Sequence, residues 1–331
     1  MRSFDYPLLL DPIPVPRPWG GGRVCRLYGR PCETSPQPSP GKRGRGEGEA
    51  PAEPIGDWWD ASTWPTDPGN PGLPTVTRIA NGPLAGTPLD RVLDLPVVVK
   101  LLDSAEKLSV QVHPVSEEVH KDEMWYVLHA EPGAYLFCGL ADGVDRGEFC
   151  RLIWSEKPDE QAVLAMLRRA DDVKPGMSFN VPTGTVHAVG PGLVAFEISE
   201  KTQVTYRLFD YNRGRALHLD EGCEAVMAVR PDLPPLDHGL AIRGASGVQA
   251  LTEFPTFCVL KVTGRRITVE SSAHMHLVTA AASDCAIGGP SSDWDITLGR
   301  ASTCLVPPAS GPYTIDTGGG VVLISPLRDT G

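Results

Sequence analysis

Apolar residues in this chain come in short runs separated by glycine, proline and charged positions. Such runs predict strands rather than helices, because a strand crosses a core in a few residues. Pro96-Val97-Val98-Val99-Lys100-Leu101-Leu102 reads as a buried strand. Further strands are expected at 108–113, 124–128, 178–181 and 193–198, at 76–79, and from His187 onward after a Pro-Thr-Gly turn. Helical character is confined to 145–170, where Gln161 to Arg169 are helix formers with Val163, Met166 and Leu167 on one face. A shorter helix-like segment covers 88–93. Past a Pro-rich linker at 230–235, residues 250–327 read almost wholly as short strands and turns, at 257–262, 267–270, 276–280, 303–306 and 320–325. Evenly spaced short strands indicate a sandwich or jelly roll. The expected fold is therefore mainly β, in two barrel-like units, with a small helical insertion near 145–170 in the first. The first unit takes 1–33 and 55–235, and the second takes 236–331.

Residues 34–54 stand apart. They hold no aliphatic side chain larger than alanine and are dominated by Pro, Gly, Ser and charge, so they cannot bury enough apolar surface to offset the entropy of ordering. They read as a low-complexity, disordered loop expansion. A basic patch at Lys42-Arg43-Gly44-Arg45 is short and flanked by Glu47 and Glu49.

The balance of 30 basic and 41 acidic side chains, −11 in formal charge, argues against nucleic acid or an acidic membrane as partner. An anionic small molecule remains compatible where Lys100, Lys121 and Arg207 supply local positive charge. No apolar run is long enough to span a bilayer, and the start of the chain lacks a signal-peptide core. The eight cysteines are scattered without a Cys-x-x-Cys pair and read as reduced, several of them as small core residues. A cytoplasmic protein is expected.

The chemistry concentrates in three places: Gln111-Val112-His113, Lys121-Asp122-Glu123 and Gly184-Thr185-Val186-His187. Two imidazoles, a carboxylate and an amide oxygen form a donor set that a divalent cation such as zinc accepts. Gln111 and His113 lie two apart on an expected strand, so both can point into one cavity. His274-x-His276 has the same spacing but no carboxylate motif beside it and reads as structural, as do His129, His218 and His238. Trp58-Trp59 either lines a sugar site or closes a core. Glu106, Glu117 and Glu118 read as solvated charges.

Taken in order, Leu108-Ser109-Val110-Gln111-Val112-His113-Pro114, Lys121-Asp122-Glu123-Met124-Trp125-Tyr126, Val181-Pro182-Thr183-Gly184-Thr185-Val186-His187-Ala188 and Thr205-Tyr206-Arg207-Leu208-Phe209-Asp210-Tyr211-Asn212-Arg213 resemble the type I mannose-6-phosphate isomerases, in their short bacterial form. The likeness begins near Arg17-Pro18-Trp19-Gly20-Gly21, resumes at Ile55-Gly56-Asp57-Trp58-Trp59, runs to Arg213 and weakens beyond. It implies a cupin fold (double-stranded β-helix, or jelly-roll, barrels), with no metal site in the second unit. It implies one zinc ion per chain, which other divalent metals could replace, and interconversion of D-mannose 6-phosphate and D-fructose 6-phosphate. Carried over by position, Gln111, His113, Glu123 and His187 would hold the metal. Arg207, Glu197 and Lys121 would be catalytic, and Ser109, Lys100, Lys121 and Arg207 would bind substrate. The chain departs from the pattern between His113 and Glu123, where only nine residues intervene and His120 stands in place of the usual glycine.

Aldose–ketose isomerisation needs a base at the C1–C2 edge, stabilisation of enediolate oxygens and an anchor for the phosphate. On the implied assignment, the metal and Arg207 flank the reacting carbons, Lys100 and Lys121 compensate charge, and Glu197 shuttles the proton. The sugar phosphate would be the partner of a monomer or homodimer. Two other readings compete: a non-catalytic sugar-phosphate sensor, and an iron-dependent cupin oxygenase.

Overall fold

The computed structural model describes residues 4–30, 54–116, 119–202, 204–226, 236, 239–270, 273–289 and 295–328. The low-complexity stretch up to residue 53, the linker at 230–235, Glu117, Glu118 and His238 lie outside the described residues.

The chain begins with β1 (Leu8–Asp11), β2 (Ile13–Pro16), the short helix α1 (Arg23–Tyr28) and β3 (Ile55–Ala61). Next come β4 (Thr66–Asp67), β5 (Asn70–Pro74), β6 (Arg78–Ile79), β7 (Val97–Ser104), β8 (Val110–Val112), β9 (Glu123–Ala130) and β10 (Leu136–Leu140). Two helices, α2 (Arg146–Ile153) and α3 (Glu160–Ala165), precede β11 (Leu167–Ala170), β12 (Ser178–Val181), β13 (His187–Val189), β14 (Leu193–Glu200), β15 (Tyr206–Phe209) and α4 (Leu219–Ala225). The remainder is strands with one short 3-10 turn at Pro308–Ser310: β16 (Ile242–Arg243), β17 (Gly247–Glu253), β18 (Cys258–Thr263), β19 (Arg266–Val269), β20 (Met275–Ala280), β21 (Cys285–Gly288), β22 (Asp295–Leu298), β23 (Thr303–Val306), β24 (Tyr313–Asp316) and β25 (Val321–Leu327).

These strands build four stacked layers. A six-stranded sheet, β12-β9-β14-β7-β3-β2, faces a five-stranded sheet, β11-β10-β13-β8-β15. One cluster between them mixes Leu102, Trp125 and Ala195 of the first with Leu136 and Val189 of the second. A seven-stranded sheet, β17-β18-β25-β20-β23-β1-β6, and a five-stranded sheet, β16-β19-β24-β21-β22, form a second sandwich around Cys258, Leu260, Ile287, Ile315 and Ile324. The outer face of the six-stranded sheet lies on the outer face of the seven-stranded one. Val97, Val99, Leu101, Phe196 and Ile198 there meet Phe257, Val259, Leu277, Leu305 and Leu323. That contact explains why β7 is buried over its whole length and why its sequence is continuously apolar apart from Lys100 and the terminal Asp103 and Ser104.

The expected cupin barrels are not what forms. Each sheet is open, ending in two edge strands such as β12 and β2 or β11 and β15, and no ladder joins first strand to last among the described residues. Alternation tells which side chains face inward, but closure requires hydrogen bonds between strands far apart in the chain. The architecture is a pair of open-sheet sandwiches stacked back to back.

Two local expectations also change. The helix at 161–169 stops at Ala165, and Leu167–Ala170 becomes β11, pairing Leu136 with Ala170 and Leu140 with Leu167. Asp159 starts α3 by accepting from the Ala162 N–H at 2.9 Å. After it, burying Leu167 and satisfying the edge of β10 outweigh the helix propensity of Arg168 and Arg169. Nor are all thiols reduced: Cys25 is disulfide-bonded. Cys138, Cys150, Cys223, Cys258, Cys285 and Cys304 are free.

Candidate metal centre

Strand register assembles the site. In the five-stranded sheet, His187 of β13 sits opposite Gln111 of β8, and Gln111 sits opposite Arg207 of β15. In the facing sheet, Lys100 of β7 lies between Trp59 of β3 and Glu197 of β14, and Glu197 is opposite Trp125 of β9. Cross-strand partners project from the same face, so each sheet offers one polar row. Together they border a cavity of 760 Å³. Its wall includes Lys100, Ser109, Gln111, Lys121, Glu123, His187, Glu197 and Arg207. His113 lies just behind that wall, fully buried, and reaches the group through its ring edge.

At the cavity floor, His113 Nε2 is 3.1 Å from Glu123 Oε1 and His187 Nε2 is 3.9 Å from Glu123 Oε2. One donor atom from each of the three residues falls within 4.8 Å of the others. Both imidazoles are fixed from behind: His113 Nδ1–H donates to Val204 O at 3.0 Å, and His187 Nδ1–H donates to Thr185 O at 2.8 Å. Those bonds place the proton on Nδ1 and turn the unprotonated Nε2 atoms inward. Gln111 joins them, its amide nitrogen 3.1 Å from His187 Nε2 and its Oε1 accepting from the Ser109 hydroxyl at 3.3 Å. A half-turn of the amide would exchange its oxygen and nitrogen.

The electrostatics favour a cation. Burial, reinforced by the Lys121 ammonium, pushes the His113 imidazole down to about 4, so the ring is neutral at pH 7. His187 is lowered for the same primary reason, with Glu123 opposing. Burial alone would raise Glu123, but the Lys121 ammonium holds it well below the usual carboxylate range. A neutral ring nitrogen thus points its lone pair at an ionised carboxylate oxygen, and that buried Nε2 has no hydrogen-bond partner. Two acceptors 3.1 Å apart repel unless positive charge joins them. The Lys121 ammonium on Glu123 Oε1 supplies part of it. Donors bound to zinc at about 2.0–2.2 Å stand about 3.4 Å apart, so the His113, Glu123 and His187 atoms fit such an ion, with Gln111 able to add a fourth oxygen donor. Among the described residues no other group of His, Cys, Asp and Glu meets this geometry.

The other expected residues surround this floor. Lys100 Nζ is 3.6 Å from Glu197 Oε1 and lies over the Trp59 ring, 4.4 Å from its centroid. Burial and the neighbouring Lys121 lower Lys100, against the pull of Glu197. Lys121 would likewise be lowered by burial, but Glu123 and Glu197 raise it, which keeps it charged. Arg207 is half-buried. Its Nη1 donates to Ala216 O at 2.8 Å, while its Nε is buried with no hydrogen-bond partner. Burial and repulsion from Arg215 lower its affinity for a proton, so an anion at this wall would relieve both. Trp58 packs in the core between the stacked sandwiches, and Trp59 faces the other way, under Lys100.

Three features of the site carry no local motif. Arg17 bridges Asp57 at 2.6 Å and Asp67 at 2.7 Å, pinning the β4–β5 hairpin over the cavity mouth. Burial opposes that guanidinium's charge, and the two carboxylates more than restore it. Arg215 and His218 complete the rim beside Arg207, whose backbone N–H donates to His218 Nδ1 at 3.1 Å. Asp57 could have been found by alternation from Trp59, once β3 was known to be a strand facing this cavity. Arg17 heads the stretch where the likeness begins, but its role depends on Asp57 and Asp67, distant in sequence, and Arg215 lies outside the matched motifs.

No family model matches the chain. It is 28% identical to a mannose-6-phosphate isomerase of Streptococcus mutans, over 68% of this chain and 69% of that protein. Among solved structures it resembles the mannose 6-phosphate isomerase of Bacillus subtilis, with a TM-score of 0.71 and 22% identity over 97% of this chain and 99% of that one. A mannose 6-phosphate isomerase bound with zinc and yttrium superposes with a TM-score of 0.66 at 13% identity, over 98% and 100% of the two chains. These structures share its fold. Over about two thirds of its length the sequence is similar to the mannose-6-phosphate isomerase of Streptococcus mutans.

Proposed function

We propose that this chain is a metal-dependent aldose–ketose isomerase of carbohydrate metabolism that interconverts D-mannose 6-phosphate and D-fructose 6-phosphate. The observation that carries this reading is the buried His113, Glu123 and His187 cluster opening into a cavity whose walls hold Lys100, Lys121 and Arg207. Metal-binding donors alone are common to many chemistries. Donors beside three cations suit a substrate that is anionic and whose reaction develops further negative charge on oxygen.

His113, Glu123, His187 and Gln111 would hold zinc, which when bound polarises the sugar carbonyl as a Lewis acid. Glu197 is the carboxylate assigned to carry the proton between C1 and C2, and Lys100, 3.6 Å away, orients it. Lys121 stays charged beside Glu123 and compensates the enediolate oxygens as they gain charge. Arg207, with an uncommitted Nε and Arg215 nearby, anchors the phosphate or an oxyanion through its fork of donors. Ser109 steadies the Gln111 amide through its hydroxyl. The walls Trp19, Trp64 and Trp125 limit the access of water to the intermediate.

The test is a coupled assay with mannose 6-phosphate, run with elemental analysis before and after chelation. Turnover that tracks zinc content and returns when zinc is restored is the expected outcome. A fully metal-loaded protein with no turnover on this substrate would refute the reading.

A further inference from the structure

We propose that Glu200 is a positioning residue for Glu123, and that through Thr256 the C-terminal sandwich helps hold this metal ligand in place. The proposal rests on the reading that His113, Glu123 and His187 bind a metal.

The ladder between β9 and β14 reaches Glu123, which pairs with Ser199. One step further, the Glu200 N–H donates to Asp122 O at 3.0 Å, but the return bond comes from a side chain: the Asp122 N–H donates to Glu200 Oε2 at 3.0 Å. Glu200 Oε1 accepts from the hydroxyl of Thr256, in the turn between β17 and β18 of the other sandwich. His120 Nδ1 stands 3.4 Å from the same carboxylate. On the far side, Asp122 Oδ1 accepts from the Thr183 N–H at 2.8 Å and the Thr183 hydroxyl at 2.9 Å, and the Thr183 oxygen accepts from the Lys121 N–H at 2.9 Å. Thr183 lies in the turn that leads into His187.

One continuous series of hydrogen bonds therefore runs from Thr256 through Glu200 and Asp122 to Thr183. It grips the backbone on the N-terminal side of Glu123 and the turn before His187. Glu200, Asp122 and Thr183 are buried and none of them borders the cavity, so substrate contact does not account for them. A buried carboxylate is tolerated when donors satisfy it, and each donor then fixes where it sits. Here donors from separate segments fix Glu200, and Glu200 in turn fixes the Asp122 N–H. Partners one shell out from a metal ligand hold its orientation and hence its affinity.

The measurement is zinc affinity of the full chain, stripped of metal and titrated against a chelating indicator, alongside thermal unfolding. Glu200→Gln, which keeps shape but sets an amide N–H₂ against one of its donors, should weaken zinc binding about tenfold. Thr256→Val should weaken it by a smaller factor, and Thr256→Ser should restore it. Thr279→Val serves as the control. It breaks a hydroxyl pair with Thr303, 2.9 Å long, inside the C-terminal sandwich, and should lower the unfolding temperature without moving zinc affinity. If wild type binds zinc and both Glu200→Gln and Thr256→Val bind it equally well, the positioning role is overturned alone. Loss of affinity in Thr279→Val matching that in Thr256→Val would also overturn it, since general instability would then suffice. A wild type that takes up no zinc overturns the metal reading and this one together.

Discussion

The two sandwiches bury histidine in opposite ways. In the C-terminal one, His276 is enclosed in the seven-stranded sheet and its Nδ1 meets the Tyr313 hydroxyl at 2.9 Å. It pairs across the sheet with Val306 of β23. In the N-terminal one, His113 is equally buried, but its outward nitrogen rests on a carbonyl and its inward nitrogen confronts Glu123 and Lys121. Both rings sit in the same kind of open-sheet sandwich. What separates a core from a site is the partner across the gap: a neutral phenol closes the account of one ring, whereas an anionic carboxylate leaves the other needing a cation. Burial of a polar group is thus not by itself a sign of function; burial with an unmet electrostatic demand is.

The strongest way to break that contrast is to remove a donor from the N-terminal sandwich. His113→Ala or His187→Ala should lose bound metal and turnover together, by more than the roughly 10–100-fold that outer partners of a metal site cost; a variant shown to be metal-free yet fully active would end the comparison. Next in size is Arg207→Ala. It should retain metal by elemental analysis and lose roughly 100-fold or more in kcat, the cost of removing one oriented donor from a developing charge. A rise in KM at unchanged kcat would make Arg207 an anchor and nothing more.

Acid sharpens the contrast in the metal-stripped protein. His113 takes its proton near 4 when folded and near 6.5 ordinarily. Between those values the unfolded chain binds more protons, so stability rises with pH across this window and is lost as pH falls through it. The contribution amounts to about 3 kcal/mol at most, and denaturant titrations at pH 7 and pH 4.5 should reveal it as a drop that His113→Ala lacks. The smallest effect is expected at the other ring. Tyr313→Phe should cost about 1 kcal/mol of stability, read from chemical denaturation, with metal content and turnover unchanged.

The metal-type donors were legible because each sits in a short motif whose meaning is local. Gln111 and His113 come two apart on a strand, and Glu123 and His187 follow turn residues that start new strands. The Lys100–Glu197 pairing was half legible: both were carried over as pocket positions from the resemblance, but their contact depends on the β7–β14 register. The open sheets, the disulfide at Cys25 and the Arg17–Asp57–Asp67 bridge were not legible, since each joins segments distant in sequence or outside any motif. The helix expected through Arg169 failed for a related reason. Propensity is counted residue by residue, whereas the vacant edge of β10 that captured Leu167–Ala170 belongs to the tertiary fold.

One detail of the second sandwich bears on how the chain is made. β25 is an interior strand of the seven-stranded sheet, between β18 and β20, and β1 joins the same sheet through β23. β1 can pair early with β6, but its other neighbour, β23, is made hundreds of residues later. Until β25 is made, β18 and β20 each lack one neighbour and the sheet stays in two parts. Pairings so remote in sequence are slow and expose aggregation-prone surface while they wait, so the growing chain should depend on chaperones far more than the finished one.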